Sequence, residues 1–272
     1  MSRALGHVTG KSILHRMNPA SKFLSLILVM TGIFLYPSLV LSAFLIIMVL
    51  LGFAISGASL KLSSLRVRFI LIFSFFMFLL QVLITINGEI LFFIIPDLGT
   101  IGPALPVTNY GLERGLIIAM RFLLVILSSM LFISVTDPTL LAHSLTRFRI
   151  PYRYAFGLVI ALRFLPIFDA ETDIVRMSQR SRGISIDIGS PSKLLRTLRF
   201  TFFPLLVSAL SRVETLSNSM DTRGFGYQDT RTYLRESKWG LPDLILLGLS
   251  VLFLFFCILL VIGILPTVSQ II

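Results

Sequence analysis

The sequence predicts an all-α, polytopic membrane protein, with about five transmembrane helices plus amphipathic cytoplasmic helices. Three observations lead to this fold class: 56% of the 272 residues are apolar, only 14% are charged, and the mean hydropathy is +0.93. Soluble domains carry about 25% charged residues. A chain of this composition therefore belongs in a lipid bilayer, and its single cysteine, Cys257, excludes an intrachain disulfide framework.

Apolar runs of the length of a membrane span occur five times. A spanning helix needs roughly 20 mostly apolar residues. The first two runs are short and meet at Tyr36-Pro37-Ser38, as in a tight helical hairpin, and the third reaches residue 95 only if the helix continues through Asn87-Gly88-Glu89. The predicted spans are residues 22–36, 38–55, 69–95, 111–135 and 241–265. The chain is thus divided into a membrane domain (1–135), a cytoplasmic region (136–240) and a C-terminal span (241–272).

The distribution of Lys and Arg orients these spans. Basic residues gather in the N-terminal segment, in the connection around Lys61 and in the stretch 136–240, which holds more than half of the 24 in the chain. The turn at Pro37 and the loop 87–110 contain none. By the positive-inside rule the N-terminus is cytoplasmic and the C-terminus lies outside. The net charge of +11 is therefore explained by the membrane, and no nucleic acid partner is expected.

The cytoplasmic region should contain a short helix that starts at Pro138 and two longer helices at about 152–182 and 193–223. Each longer helix contains a proline that would bend it, and each begins with an apolar half that is too short to span a membrane. The second halves are amphipathic, with apolar residues at alternating spacings of three and four. These apolar stripes are Ile167, Ala170, Ile174 and Met177 in the first helix, and Leu206, Ala209, Val213, Leu216 and Met220 in the second.

Both amphipathic helices end in an Arg-Gly pair within a similar tripeptide. The tripeptides are Ser181-Arg182-Gly183 and Thr222-Arg223-Gly224. One explanation is structural: glycine adopts the left-handed conformation after a helix, and arginine suits the negative end of the helix dipole. The other is docking, in which the guanidinium binds carboxylates of a partner while glycine lets the two backbones approach. The position of both pairs at cytoplasmic helix ends favours docking, although a third pair, Arg114-Gly115, shows that the dipeptide alone is weak.

No motif for catalysis or metal binding stands out. A phosphate-binding loop of the Gly-x-x-x-x-Gly-Lys-Ser/Thr type is absent from the sequence, and the three histidines are too scattered to bind one metal. In the acidic cluster of Asp169, Glu171 and Asp173, only the two aspartates share a helix face, which is typical of a solvated surface. We predict no catalytic residues, no metal site and no cofactor in this chain.

Arg121 lies inside the fourth predicted span, where an ionised group is costly and usually faces protein or water. We predict that it does not face lipid. It could bridge to Glu89 or Glu113, or anchor a helix interface, and the sequence does not choose between these roles.

Several segments together resemble a known family. "TDPTLLAHSLTRFRIP", "ALRFLPIFDAETDIVRMSQRSRG" and "LLVSALSRVETLSNSMDTRGFGY" are similar to the coupling region of the transmembrane T component of energy-coupling factor (ECF) transporters, an ABC-type importer class related to the cobalt-transport permease. The N-terminal "GKSILHRMNPASKF" also resembles that family. The resemblance covers most of the chain. The family signature is a pair of Ala-Arg-Gly tripeptides, from which this chain departs at Ser181 and Thr222 by having other small residues.

This resemblance implies a function. Arg182 and Arg223 would lie at the tips of two coupling helices, each in a groove on one of two cytoplasmic ABC ATPase subunits that bind ATP and Mg. The apolar stripes would support a small substrate-binding membrane subunit, the S component, in vitamin or transition-metal ion uptake. The chain would not itself be an enzyme and would lie in the cytoplasmic (inner) membrane of a prokaryote.

Two alternatives belong to other classes of protein. A self-contained secondary transporter or channel should place several ionisable groups within its spans, and here only Arg121 stands out. A membrane-embedded enzyme should show convergent Asp, His or Glu residues at the membrane edge. Neither pattern is visible in the sequence.

Overall fold

The structure is a computed structural model that describes residues 12–57, 64–95, 104–144, 151–183, 191–227 and 239–263. It forms two units, which we call the membrane unit (residues 2–144 and 238–272) and the helix-pair unit (residues 145–237). The sequence predictions for residues 1–11, for the connections 58–63 and 96–103, and for the chain after Gly263 lie outside the described residues.

The described part of the chain is helical apart from one β-hairpin. In chain order the elements are α1 (Ile13–Arg16), α2 (Pro19–Leu35), α3 (Leu39–Ser56), α4 (Ser64–Ile84), β1 (Ile90–Ile95), β2 (Ala104–Thr108), α5 (Asn109–Val135), α6 (Pro138–Ser144), α7 (Tyr152–Ser181), α8 (Pro191–Thr222) and α9 (Leu241–Ile262). Four of the described helices, α3, α4, α5 and α9, are long and apolar enough to cross a membrane. The predicted class, an all-α polytopic membrane protein, is confirmed.

The helix α2 is the short member of the set. Its 17 residues reach about 26 Å at roughly 1.5 Å per residue, a few ångströms less than a bilayer core of about 30 Å. Asn18 caps its start by accepting a hydrogen bond from the Ala20 backbone N–H at 3.0 Å, and Pro19 occupies the first turn. The helix ends before Pro37, which cannot continue it. The turn at Pro37 is present as predicted, but the tight pairing of the first two spans is not, because α2 packs mainly on α9 and α3 packs mainly on α5.

Glycine permits close packing at two interfaces of the membrane unit. The helices α2 and α9 pack together, and α5 packs on α3 and α4. A Cβ added at Gly32 would lie 2.8 Å from the Phe253 ring, and one at Gly115 would lie 3.0 Å from the Phe78 carbonyl oxygen. Small residues let membrane helices approach in this way. The opposite faces of these helices remain exposed and apolar, with Phe75 63% exposed and Leu252 66% exposed, as suits contact with lipid.

The prediction that the third span continues to residue 95 is wrong. The helix α4 ends at Ile84, and residues 90–95 instead form β1, which pairs antiparallel with β2 from Ile90 opposite Thr108 to Ile95 opposite Ala104. Gly88 follows the end of the helix and has a φ of +109°, a conformation that residues with a side chain avoid. The Ile- and Phe-rich run that follows suits a strand as well as it suits a span. Thr108 then caps α5 by accepting a hydrogen bond from the Gly111 N–H at 3.0 Å.

Arg121 anchors the interface between α2 and α5. Its guanidinium donates a hydrogen bond to the Ile33 carbonyl oxygen at 3.1 Å and lies over the Phe34 ring, 5.1 Å from the ring centre. Ile33 belongs to the last turn of α2, where carbonyl groups have no partner within the helix. Of the two roles that the sequence left open, the structure supports the helix interface, and the side chain serves as a C-terminal cap supplied by another helix.

The helix-pair unit contains α7 and α8 in antiparallel contact. Phe156 near the start of α7 packs on Phe225 just after α8, with ring centres 4.7 Å apart. Gln179 near the end of α7 donates a hydrogen bond to the Phe200 carbonyl oxygen of α8 at 3.4 Å. Both helices begin and end within about two residues of the predicted limits, and each continues through its internal proline, Pro166 or Pro204.

Candidate functional site

Glycine closes the C-terminal end of each helix in the pair. Gly183 and Gly224 have φ values of +74° and +67°, in the left-handed region that glycine tolerates best. At the end of α8 the Gly224 N–H donates to the Asp221 carbonyl and the Phe225 N–H donates to the Met220 carbonyl, each at 3.0 Å. These two bonds are those of a Schellman motif. The capping explanation of the glycines is therefore correct, and docking by the arginines stays a prediction.

At both helix ends a small hydroxyl residue precedes an exposed arginine. Ser181 donates its hydroxyl to the Met177 carbonyl at 3.1 Å, and Thr222 donates to the Asn218 carbonyl at 3.0 Å. Both hydroxyls are thus satisfied by their own helix, so each residue presents a small surface. Arg182 and Arg223 are exposed, and no heavy atom of the described residues lies within 4 Å of a Cβ added at either glycine. Each helix end has room for a partner backbone to approach.

The antiparallel contact places the two arginines at opposite ends of the helix pair. Arg223 follows the end of α8, next to the Phe225 ring that packs on Phe156, whereas Arg182 comes three residues after Gln179. Phe156 and Gln179 are 23 residues apart along α7 (179 − 156), which corresponds to roughly 35 Å of helix. The helix pair therefore presents two cationic tips separated by about that length.

A polar contact joins the two helices between these tips. Glu171 of α7 accepts a hydrogen bond from the Ser208 hydroxyl of α8 and forms an ion pair with Arg212, whose Nε lies 3.3 Å from the carboxylate. The Ser208 hydrogen bond, together with the Arg212 charge, holds the pKa of Glu171 below its usual value. The sequence pattern did not indicate this contact, because the spacing of apolar residues within one helix does not show which residues of two helices meet. The prediction that Glu171 points away from Asp169 and Asp173, which are both exposed, agrees with the structure.

The predicted apolar stripes divide into an exposed part and a part that lines a groove. Exposed stripe residues are Ala170, Ile174 (65%), Met177 (64%), Leu206 (42%) and Val213 (56%), and Ala209 is half-buried. Ile167, Leu216 and Met220 instead line an open groove of about 1180 Å³ between the first half of α7 and the last turns of α8. The stripes therefore do not pack on each other along their whole length, and an apolar surface is left over.

The groove beside the Arg223 tip combines apolar and cationic groups. Its walls include Phe156, Ile160 and Phe164 of α7, and the lining also includes Arg163 and Arg223. The sequence pattern indicated Arg223 as a candidate site residue but gave no signal for Arg163. A partner surface that fits this groove would combine an apolar projection with acidic groups.

The described residues contain no cluster of three or more His, Cys, Asp or Glu side chains that could hold a metal ion. The helix-pair unit presents two exposed arginines, an open groove and exposed apolar side chains.

Comparisons with known proteins agree with this description. Residues 10–234 match the family model of the cobalt transport protein, CbiQ. The chain is 34% identical to the energy-coupling factor transporter transmembrane protein EcfT of Brevibacillus brevis, over 90% of this chain and 93% of the relative. It is 29% identical to EcfT of Exiguobacterium sibiricum, over 91% and 97%, and 28% identical to EcfT of Bacillus subtilis, over 87% and 89%. The family match includes α7, α8 and both Arg-Gly pairs, so this chain belongs to the cobalt transport protein (CbiQ) family and is similar throughout to the transmembrane components of ECF transporters.

Proposed function

We propose that this chain is the energy-coupling scaffold of an ECF-type importer. It transmits the ATP-driven movement of two cytoplasmic ABC ATPase subunits to a small substrate-binding membrane subunit, the S component. Arg182 and Arg223 each dock in a groove of one ATPase subunit. ATP and Mg bind to those partners, and the imported substrate is a vitamin or a transition-metal ion.

The observation that supports this proposal best is the pair of exposed arginines at opposite ends of the antiparallel helix pair. Each is followed by a glycine with positive φ and with open space where a Cβ would lie. A guanidinium on such a tip can form two parallel hydrogen bonds to a carboxylate. Two tips at roughly 35 Å suit two partner subunits better than one small ligand.

The exposed stripe residues support the second half of the proposal. Ile174, Met177 and Val213 are each more than half exposed, although cytoplasmic surfaces rarely keep contiguous apolar patches without a binding role. Methionine and branched aliphatic side chains can repack against different partners. This surface therefore suits a membrane subunit that moves relative to the helix pair during the transport cycle.

The test is a pull-down in mild detergent that compares the wild type with the double variant Arg182→Glu plus Arg223→Glu. We expect mass spectrometry to find two ATP-binding subunits with the wild type and none with the double variant. The matched control is Arg176→Glu plus Arg199→Glu, which changes the net charge equally at exposed arginines on the same two helices. The control should retain both subunits.

Two results would contradict the proposal. If the ATPases stay bound to the double variant, the Arg-Gly pairs are helix caps alone. Transport by the purified chain without ATPases would instead identify a self-contained transporter.

A further inference from the structure

A buried carboxylate in the membrane unit holds the starts of two helices together. Asp243, in the first turn of α9, is 2% exposed. Its Oδ1 accepts hydrogen bonds from the Asn18 N–H and the Ser21 hydroxyl, both at 2.7 Å, and its Oδ2 accepts one from the Gly240 N–H at 2.8 Å. One negative charge thus serves the positive N-terminal ends of both α2 and α9.

A buried ammonium group close to this carboxylate binds a helix end of the opposite polarity, the C-terminal end of α5. Lys22 is 8% exposed, and its Nζ donates to the Val135 carbonyl oxygen at 3.3 Å. Val135 is the last residue of α5, so its carbonyl lies at the negative C-terminal end of that helix, which a cation stabilises. Lys22 also interacts electrostatically with Asp243. Three helix ends are therefore tied together by two opposite charges, each of the sign that its helix dipoles favour.

The helix ends that Asp243 and Lys22 bind lie close, along the chain, to both connections with the helix-pair unit. The chain passes into the helix-pair unit ten residues after Val135 (145 − 135) and leaves it three residues before Gly240 (240 − 237). The short helix α6 on the outgoing segment also contacts α2, with Ala142 fully buried. Both covalent connections to the helix-pair unit thus start from helices that Asp243 and Lys22 hold.

We propose that Asp243 and Lys22 form one anchor for both connections and are positioning residues in the transmission of movement between the two units. If either connection frayed, movement of the helix-pair unit would be absorbed by unwinding of α5 or α9. The anchor opposes this in two ways. Opening of the start of α9 withdraws the Asp243 carboxylate from the start of α2, and opening of the end of α5 leaves the Lys22 ammonium buried without the Val135 carbonyl. This role rests on the proposed coupling function, but the anchor itself can be tested without the ATPases.

The first test is hydrogen exchange of the chain in lipid nanodiscs, followed by mass spectrometry. The variant Asp243→Asn should raise the opening equilibrium of the starts of both α2 and α9 by roughly 10- to 100-fold, as expected when hydrogen bonds to a charged group worth about 1.5–3 kcal/mol are lost. Lys22→Met should do the same for the peptide around Val135, and Lys22→Arg should restore its protection.

The control is Asp137→Asn. Asp137 accepts hydrogen bonds from the Thr139 N–H at 2.9 Å and the Thr139 hydroxyl at 2.7 Å, so it caps only α6. Its loss should raise exchange at α6 and leave the starts of α2 and α9 protected. If Asp243→Asn raises exchange at α9 alone, the three ends are independent and the anchor is disproved.

The second test concerns transmission, in the assembled complex with its ATPases. Spin labels at Ser178→Cys and Leu249→Cys, in a Cys257→Ala background, report the distance between the two units with and without ATP. We expect the ATP-dependent shift to be lost in Asp243→Asn while ATP hydrolysis continues, and to be retained in Asp137→Asn. An unchanged shift in Asp243→Asn would overturn the role in transmission, whereas failure of the ATPases to assemble with the wild type would overturn the proposed function and leave the exchange result intact.

Discussion

At the scale of single residues, the Arg-Gly pairs combine a requirement of the helix with a candidate binding group. The sequence predicted both roles for the pair, and the structure assigns the first of them to glycine through its positive φ. Chemistry alone does not assign the second, because an exposed arginine has the same local geometry whether or not a partner exists. The identity of these residues was thus predictable, and their docking requires a measurement on the complex.

The glycine requirement at the end of α8 can be measured directly. A residue with a side chain in the left-handed conformation costs roughly 1–2 kcal/mol, so Gly224→Ala should speed hydrogen exchange at the Gly224 and Phe225 amides. Gly224→Asn should do so less, because asparagine tolerates this conformation.

Gly157 provides the matched control, because it lies inside α7 with no heavy atom within 4 Å of an added Cβ. Alanine stabilises a helix interior by about 0.5–1 kcal/mol relative to glycine. Gly157→Ala should therefore slow hydrogen exchange at the neighbouring amides of α7. Equal effects of alanine at both sites would show that the φ of Gly224 is not what matters.

Arg121 gives a second prediction at this scale. Arg121→Leu removes the hydrogen bond to Ile33 and the contact with the Phe34 ring, and should lower the free energy of unfolding by about 1.5–3 kcal/mol, the range for a hydrogen bond to a charged group. Unfolding by SDS in mixed micelles measures this quantity. Arg121→Lys should lose less, since it keeps the charge. A leucine variant as stable as the wild type would show that the cap is not needed.

At the scale of elements, capping residues and prolines predicted helix ends well, and apolar runs predicted them poorly. Pro37 and the glycines after α7 and α8 mark ends that local chemistry decides. The start of the first span was predicted at Lys22, whereas Asn18 caps α2 and the helix begins at Pro19. The prediction for residues 84–95 was wrong because a run of Ile and Phe is compatible with either a helix or a strand. What decides between them is pairing with β2, some ten residues further along the chain.

The contact between Glu171 and Arg212 could not be predicted for a related reason. The periodicity of one helix shows which face is apolar, but it does not show the register of two helices that pack together. Opposite charges on the two helices were the only available signal, and several other pairs share it.

This contact predicts a measurable dependence on pH. Because Arg212 is 44% exposed, a double-mutant cycle with Glu171→Gln and Arg212→Gln should give a coupling free energy of about 0.2–1 kcal/mol at neutral pH. The pKa of Glu171 is lowered in the folded state. The contribution is therefore fully present above the unfolded-state pKa of about 4.3 and is lost as the pH falls through the folded-state value.

The cycle is measured by thermal unfolding of the helix-pair unit within the full chain, at neutral pH and in acid. A coupling free energy that grows on acidification would contradict the assignment of the charged pair.

At the scale of the whole molecule, composition and charge distribution predicted a polytopic membrane protein, and four described helices are long enough to span. The predicted division into regions 1–135, 136–240 and 241–272 stays a prediction. The cluster around Asp243 was not predictable, because its two charged members are separated by 221 residues (243 − 22). Their contact depends on the packing of α2 on α9, which no local pattern specifies.

The two-tip arrangement predicts that the double charge reversal weakens binding of the ATPases by more than the two single reversals added together. If the ATPases bind as a pair, either Arg182→Glu or Arg223→Glu leaves one tip attached, and the second site then acts at a high effective concentration. Each single variant should retain both subunits with weakened affinity, whereas the double variant should lose them, with avidity effects of about 10²–10⁴. Titration of purified ATPase pairs against the chain in nanodiscs measures this. Complete loss in either single variant would show that the tips do not act together.

The antiparallel pairing of α7 and α8 also limits how the length of this region can vary among relatives. Inserting one residue into α7 between Phe156 and Gln179 would lengthen the spacer by about 1.5 Å and turn the far tip by about 100° around the helix axis. A change that keeps both the spacing and the direction of the tips must therefore be matched in α8. Among relatives we therefore expect insertions and deletions to occur outside the helix pair, whereas changes within it should be substitutions.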